Sequence, residues 1–274
     1  MRPRNPRGHP AMTLRLLLAA ALAAAALAGC GRDPAGPGSG TGAVRVRLTD
    51  APAAYDSVIL MIRQVSIHRA GLPEESGWEI VRPDSVAAYD LLRLRNGVFA
   101  TLGEAPVPAG TYTQVRLLLA DGSYVVEDGI AHPLTVPSGL QTGLKLTGTF
   151  VVPADGTVEV GLDFDAARSI HVTGNGRHML KPTVRVVPIA LSGVITGLAL
   201  PPGAGEWAHA IAGDDTVASA VPEADGRFTL ALLPPGVYTV AIEAADAYRD
   251  TSLAGVAVTA GGTTDLGAVG LEPR

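Results

Sequence analysis

"SVILMIRQVSIHRA", Ser57 to Ala70, is the stretch whose reading decides the fold. Side chains alternate across an extended chain, so Val58, Leu60 and Ile62 share one face. Val65 and Ile67 continue the series one position out of phase. A bulge near Gln64 keeps both sets turned inward, which predicts one long bent strand.

The pattern spreads outward from there. "AVRVRLTD" alternates strictly, with Val44, Val46 and Leu48 on one face and Arg45 and Arg47 on the other. "YDLLRLRNGVFATL" contains Asn96-Gly97, a strong two-residue hairpin signal that predicts pairing of Leu94 with Phe99. Asp121-Gly122 and Asp128-Gly129 punctuate the next apolar runs, and Asn175-Gly176 divides "VEVGLDFDAARSIHVTGNGRHMLKPTVRVVPI". No amphipathic helical period of useful length precedes residue 190. Short alternating runs with regular turn signals predict an all-β sandwich or barrel. From Leu191 the character changes. Phe228, Leu230 and Leu232 alternate, the turn Pro234-Pro235-Gly236 follows, and Tyr238, Val240 and Ile242 alternate again, which predicts a second hairpin-built β unit.

The N-terminus speaks to location. Arginines at positions 2, 4, 7 and 15 precede an apolar core from Leu16 to about Ala28. That core is shorter than the ~20 apolar residues a permanent span requires, and fits an export signal. Met12 offers a second start with a complete signal behind it. Leu27-Ala28-Gly29-Cys30 resembles the bacterial lipobox, which implies cleavage before Cys30 and acylation of that cysteine. Several acyl chains anchor stably where one is marginal. Gly31, not Asp, follows Cys30, so the expectation is the outer membrane or cell surface. Residues 30–42, "CGRDPAGPGSGTG", read as a Gly/Pro/Ser-rich tether.

Removing residues 1–29 takes away four arginines and no acid, which turns the formal charge of −5 into −9 over 245 residues. An acidic chain argues against nucleic acid as a partner. Acylation of the single cysteine leaves no thiol for disulfides, cysteine-zinc sites or thiol catalysis.

Six strings occur in order: "LTDAPAAYDSV", "YDLLRLRNG", "VPAGTYTQVRLLL", "PSGLQTGLKL", "LDFDAARSI" and "GNGRHMLKPTVRV". Over residues 43–189 they resemble the lipoprotein family built on the domain of unknown function 4382, which has no established activity. Residues 192–272, through "GRFTLALLPPGVYTV", resemble the carboxypeptidase regulatory-like domain. That resemblance implies a small prealbumin-type, Ig-like sandwich grouped with carbohydrate-binding-like folds, and an accessory role. The expected organisation is a signal at 1–29, a tether at 30–42, and two β-sandwich domains at 43–190 and 191–274.

Candidate chemistry is sparse. Asp163 and Asp165 lie two apart, on one side of a strand with Phe164 opposite. They suit a structural role, bonded to backbone and to Arg168, Lys145 or Lys181. His171 and His178 flank Asn175-Gly176; a two-residue turn there sets Thr173 opposite His178 and both imidazoles on one face. Together with the two acids they form the only candidate set for a metal-dependent enzyme. Asp50, before Ala-Pro, reads as a backbone-capping residue. The chain has 19 arginines and two lysines, Lys145 and Lys181, which singles the lysines out as structural polar groups. No serine elbow, phosphate loop, dinucleotide fingerprint or zinc-helix motif occurs, so no cofactor is expected. The sequence therefore points to a non-enzymatic, lipid-anchored binding or assembly module of the envelope, with a glycan-binding lipoprotein as the alternative. The expected partners are the membrane, through Cys30, and a glycan or an envelope protein.

Overall fold

The computed structural model describes residues 40–137 and 142–274. The expected export segment 1–29, Cys30 and the expected tether up to residue 39 lie outside the described residues. The last tether residues are strand instead: Thr41 and Gly42 open β1. A Cβ on Gly42 would stand 2.1 Å from the Pro153 carbonyl oxygen, so the chain is closely packed there.

The first half contains β1 (Thr41–Ala51), β2 (Ser57–Arg69), β3 (Trp78–Arg82), β4 (Ala87–Asp90), β5 (Ala100–Pro108), β6 (Gly110–Leu119), β7 (Tyr124–Glu127), β8 (Ile130–Thr135), β9 (Leu144–Val152) and β10 (Thr157–Asp165). A one-turn helix, α1 (Ala166–Ser169), then leads to β11 (Ile170–Val172), β12 (His178–Leu180) and β13 (Val184–Pro188). The second half contains β14 (Gly193–Leu200), β15 (Gly205–Ala212), β16 (Asp215–Ala220), β17 (Arg227–Leu233), β18 (Gly236–Ala244), β19 (Thr251–Val258) and β20 (Thr263–Gly270).

Both halves are β-sandwiches, each with its own apolar core. They also share one strand plan. In the first, β1 lies between β10, to which it runs parallel, and antiparallel β5. In the second, β14 lies between parallel β20 and antiparallel β17. Across each core, β2 pairs with β6 and β6 with β9, as β15 pairs with β18 and β18 with β19. The first sandwich adds β3 and β4 on β2, the β7–β8 hairpin, the β11–β12 pair and β13 to this plan, and the second adds β16 on β15.

The step between sheets is made the same way twice. Pro108-Ala109-Gly110 links β5 to β6, and Pro234-Pro235-Gly236 links β17 to β18. At each corner a buried tyrosine donates to the proline carbonyl four residues back, Tyr112 to Pro108 at 2.8 Å and Tyr238 to Pro234 at 2.7 Å. The expected hairpin at Pro234-Pro235-Gly236 is therefore corrected. β17 and β18 belong to opposite sheets, and Phe228 and Leu230 face Tyr238, Val240 and Ile242 across the core.

Strand β2 bends as its periodicity predicts. Its register against β6 shifts between Ile62 and Gln64, and Val58, Leu60, Ile62, Val65 and Ile67 are all fully buried. The turn at Asn96-Gly97 is not a hairpin. β4 is drawn onto β2, while β5 joins β1 in the other sheet. Between them Asp90 caps a 3-10 turn, Leu91–Arg93, which buries Leu91 and Leu92. Asn96-Gly97 thus carries the chain from sheet to sheet, and Leu94 does not pair with Phe99.

A second phase change matters more. Against β14, the register of β17 slips between the Leu230 and Leu233 pairs. Leu233, not Leu232, joins the core. Leu232 takes a left-handed φ of 55° and turns out of its own sandwich, yet is only 2% exposed. It packs on the first sandwich at Gly161, where an added Cβ would stand 2.9 Å from Leu232 Cδ1. Alternation alone places Leu232 beside Leu230; the bulge overrides it.

Candidate binding cleft

The outer face of β1, β10 and β13 carries the charged residues that the core-facing alternation turns away. At its Ala51 and Asp165 end the second sandwich leans over it, leaving a cavity of about 360 Å³ lined by both.

Asp163 lies directly across from Arg185 in the β10–β13 ladder. Arg185 Nε donates to Asp163 Oδ2 at 3.0 Å, and a second guanidinium nitrogen closes the fork onto the same oxygen. Two donors converging on one oxygen fix the geometry as well as the charge. Burial pushes the Asp163 carboxyl up from its ordinary range; Arg185 opposes this and the neighbouring Asp165 adds to it. Arg185 also reaches the second sandwich, with Nη1 donating to the Leu232 carbonyl at 3.4 Å. Asp165 caps α1 by accepting from Arg168 N at 2.9 Å, with Arg168 Nε 3.5 Å from its other oxygen.

Asp50, at the end of β1, is 5% exposed. Its Oδ1 accepts from Ala166 N at 3.1 Å, so it holds the first residue of α1. Its Oδ2 has no hydrogen-bond partner. Burial pushes this carboxyl well above the carboxylate range; the Ala166 N–H pulls it down, and Asp163, Asp165 and Asp90 push further up. The Thr49 hydroxyl shares its one proton between the carbonyls of Leu94 at 2.6 Å and Val98 at 3.0 Å, which holds the Asn96-Gly97 turn against the cleft. From that turn Asn96 Nδ2 donates to the Val221 carbonyl at 2.9 Å, and Asn96 Oδ1 accepts from Thr229 N at 3.4 Å. A left-handed φ of 55° at Asn96 and 77° at Gly97 makes this approach possible, and Thr229 Cγ2 sits 3.0 Å from where a Gly97 Cβ would lie. The second sandwich supplies Trp207, Ser219 and Thr229 to the lining. The Trp207 ring stacks on His209, with centroids 5.9 Å apart and 6° between planes.

The four residues of the metal-enzyme reading are not brought together. Asp163 and Asp165 are engaged as above. The β11–β12 register sets Val172, not Thr173, opposite His178, because the loop holds three residues between the paired Thr173 and Arg177. A one-residue slip turns the strand over, so His171 is exposed and His178 is buried on the other face. His178 meets His132, with ring centroids 4.6 Å apart, and lies 3.4 Å from Glu127 through Nε2. Among the described residues no group of three or more His, Cys, Asp or Glu is placed to hold a metal ion. Neither lysine reaches the two acids through a described ion pair: Lys145 pairs with Glu74 at the surface, and Lys181 is exposed.

Sequence reasoning missed Arg185, Asn96, Leu232 and Trp207. Asn96 was visible only as a turn residue, and Leu232 only as one more alternating apolar position. Arg185 lies on β13, beyond β11 and β12 in the chain from Asp163, a pairing that register alone reveals.

A family model described as "Domain of unknown function (DUF4382)" matches residues 41–182. No curated protein matches the chain. Among solved structures, the TIE protein of Bacillus anthracis is 12% identical at a TM-score of 0.24; the match covers 85% of this chain and 34% of that one, so the chain spans about a third of its length. The minor pilin of Streptococcus agalactiae is 10% identical at 0.24, covering 84% of this chain and 96% of that one. The major pilin subunit of Bacillus cereus is 8% identical at 0.22, covering 85% and 100%.

Proposed function

The chain belongs to the DUF4382 family, and from that premise we propose that it is an exported, lipid-anchored envelope protein acting as a non-enzymatic binding module. Residues 1–29 direct export, Cys30 carries the anchor, and the two sandwiches at 43–190 and 191–274 are what it presents. The observation that carries the reading is the cleft. Its polar side chains are engaged across the two sandwiches, Arg185 on the Leu232 carbonyl and Asn96 on Val221 and Thr229, with Asp163 holding Arg185 in place from its own sheet. Such a site is pre-organised for recognition, since its walls are already fixed before a ligand arrives. A glycan ligand is the second reading, favoured by Trp207 among the polar lining residues.

Fractionation of cells tests the anchoring. The wild-type chain is expected to partition with membranes and to incorporate labelled lipid, and Cys30→Ser to be released or left as uncleaved precursor. A Cys30→Ser protein that is cleaved and still membrane-bound rules the anchor out. A glycan array probed with the same protein decides the second reading, which fails if no glycan is retained.

A further inference from the structure

The sheet of the first sandwich that lies across the core from the cleft carries a cation that no acid answers. Arg116 on β6 stands directly opposite Ser66 of β2 on one side and Lys145 of β9 on the other. Its neighbours Val115 and Leu117 are fully buried in the core, so Arg116 is turned outward. Like charges set directly opposite across two strands destabilise the pair. Glu74, in the loop between β2 and β3, pairs with Lys145 and relieves one of the two. Arg116 has no such relief. Burial alone acts on its ionisation, lowering the pKa from its ordinary value, and no carboxylate opposes it. An indole and a glycine hold the side chain instead. Its guanidinium carbon lies 3.6 Å from the centroid of the Trp78 ring. Its stem passes Gly143, where an added Cβ would stand 2.8 Å from Arg116 Cγ. Trp78 is fixed in turn, with Nε1 donating to the Glu74 carbonyl at 2.7 Å and the His68 ring edge-on at 4.9 Å between centroids. Arg116 Nε is sealed from solvent without a partner, whereas Nη1 and Nη2 are not sealed, so the open end of the guanidinium faces water.

We propose that the outer face of β2, β6 and β9 binds an oxyanion, the carboxylate or phosphate group of a small ligand, on Nη1 and Nη2 of Arg116 with Lys145 beside it. The proposal goes beyond the cleft and assigns a second site, on the other sheet of the same sandwich. Arg116, Lys145 and Glu74 sum to one positive charge, which a single anion neutralises. The planar guanidinium offers parallel N–H groups that match two oxygens of a carboxylate or a phosphate. Lys145 has three donors, enough to keep Glu74 and reach the anion as well. Stacking on Trp78 fixes the guanidinium before a ligand arrives, so little ordering is left to be done on binding. The indole itself attracts the cation but leaves its hydrogen-bonding edge free. The chain as a whole carries a formal charge of −5, so anions are not drawn to it in general, and saturable oxyanion binding has to come from a local site.

Calorimetric titration of the full-length protein in non-ionic detergent tests it, with sodium glucuronate and sodium phosphate as probes. Glucose and sodium chloride at matched ionic strength are the controls. Trp78 and Trp207 are the only indoles in the chain, so Trp207→Phe leaves Trp78 as the one indole whose emission reports on this face. Saturable binding of both probes with a shift in Trp78 emission, and none by glucose or chloride, supports a site for either oxyanion. The same result with glucuronate alone supports a carboxylate ligand, and with phosphate alone a phosphate ligand. Arg116→Gln is expected to weaken binding about tenfold, because it removes both the charge and the fork. Should that variant fail to fold, the contrast of probes with controls and the Trp78 emission of the Trp207→Phe protein decide. No binding by either probe, equal binding of glucose or chloride, binding that leaves Trp78 emission unmoved, or binding unchanged in a folded Arg116→Gln protein overturns the proposal. None of these results bears on membrane fractionation or on a glycan array read at the cleft, so a failure here is distinct from a failure of the anchored-module reading.

Discussion

The two sandwiches are built on one strand plan and used differently. Each places its first strand between a parallel and an antiparallel neighbour, and each turns from sheet to sheet at a proline-glycine corner locked by a tyrosine. Yet all charged groups in the cleft come from the first sandwich, and the second supplies an indole, small neutral side chains and the protruding Leu232. The plan sets where strands lie; the outward-facing half of the alternation sets what each sandwich does. A strand such as β10 serves both purposes at once, with Phe164 in the core and Asp163 and Asp165 in the cleft.

The largest test asks whether the two cores are separate energetic units. Phe164 is fully buried in the first and Phe228 is 2% exposed in the second. Replacing either with alanine is expected to cost about 3–5 kcal/mol. Scanning calorimetry is expected to show Phe164→Ala lowering one transition and Phe228→Ala another. If each variant moves a single shared transition, the interface through Leu232 and Asn96 makes the pair one cooperative unit, and the comparison of two cores breaks down.

Much of this architecture was legible in the sequence, for a physical reason. Alternation reports which face of a strand is buried, so the all-β class, the bent β2 and the opposed faces of Phe164 and Asp163 could be read directly. Alternation does not report which strand is the neighbour. Turn chemistry at Asn96-Gly97 and Pro234-Pro235-Gly236 was right about a reversal and wrong about pairing, because a sandwich corner and a hairpin use the same residues. The cleft escaped for the same reason. Arg185 meets Asp163 through the β10–β13 register, and Leu232 reaches Gly161 through a bulge that no periodicity announces. His171 and His178 shared a face only while the loop held two residues.

The next effect in size concerns the first sandwich's ion pair. Asp163→Ala leaves the Arg185 guanidinium in the interface without its carboxylate. Loss of one partner of a fully buried pair costs roughly 3–5 kcal/mol. Arg185 is 33% exposed, so solvent screening reduces the expected loss to about 1–2 kcal/mol. Because the partner is an arginine, the loss of melting temperature is expected to be the same with and without calcium or zinc. A stabilisation of the wild type by either ion that vanishes in Asp163→Ala contradicts the pairing and restores a metal at this face.

Asp50 gives the comparison a pH signature. Its carboxyl is raised well above the ordinary value by burial first and by its acidic neighbours, and that of Asp163 is raised by burial. A raised acid binds its proton more tightly in the folded state. Its contribution to stability is therefore complete below the unfolded value of about 3.9 and is lost as pH rises through the folded one. Stability is expected to fall as pH rises from about 4 through the folded value of Asp50. Asn mimics the protonated acid, so Asp50→Asn is expected to flatten that slope and to add on the order of 1 kcal/mol at pH 7, since it removes a buried charge. Denaturant melts at a series of pH values measure both. An unchanged slope in Asp50→Asn assigns the pH dependence elsewhere.

The smallest effect tests the likeness most directly, because it compares the same bond in both sandwiches. Tyr112→Phe and Tyr238→Phe each delete one hydroxyl and leave a proline carbonyl without its donor. A hydrogen bond of this kind is worth about 0.5–1.5 kcal/mol net. The two losses are expected to be similar, because the bonds are 2.8 and 2.7 Å long and the tyrosines are 0% and 4% exposed. They are also expected to add in the double variant, since the two corners share no partner. Burial raises the pKa of both phenols. The contribution of each is thus retained below the unfolded value of about 10 and lost as pH climbs through the folded value. The phenylalanine variants are expected to lose that alkaline step along with the bond. Unequal losses at neutral pH would mean that one corner is held by its prolines and glycine alone, and that the likeness between the sandwiches stops at the order of their strands.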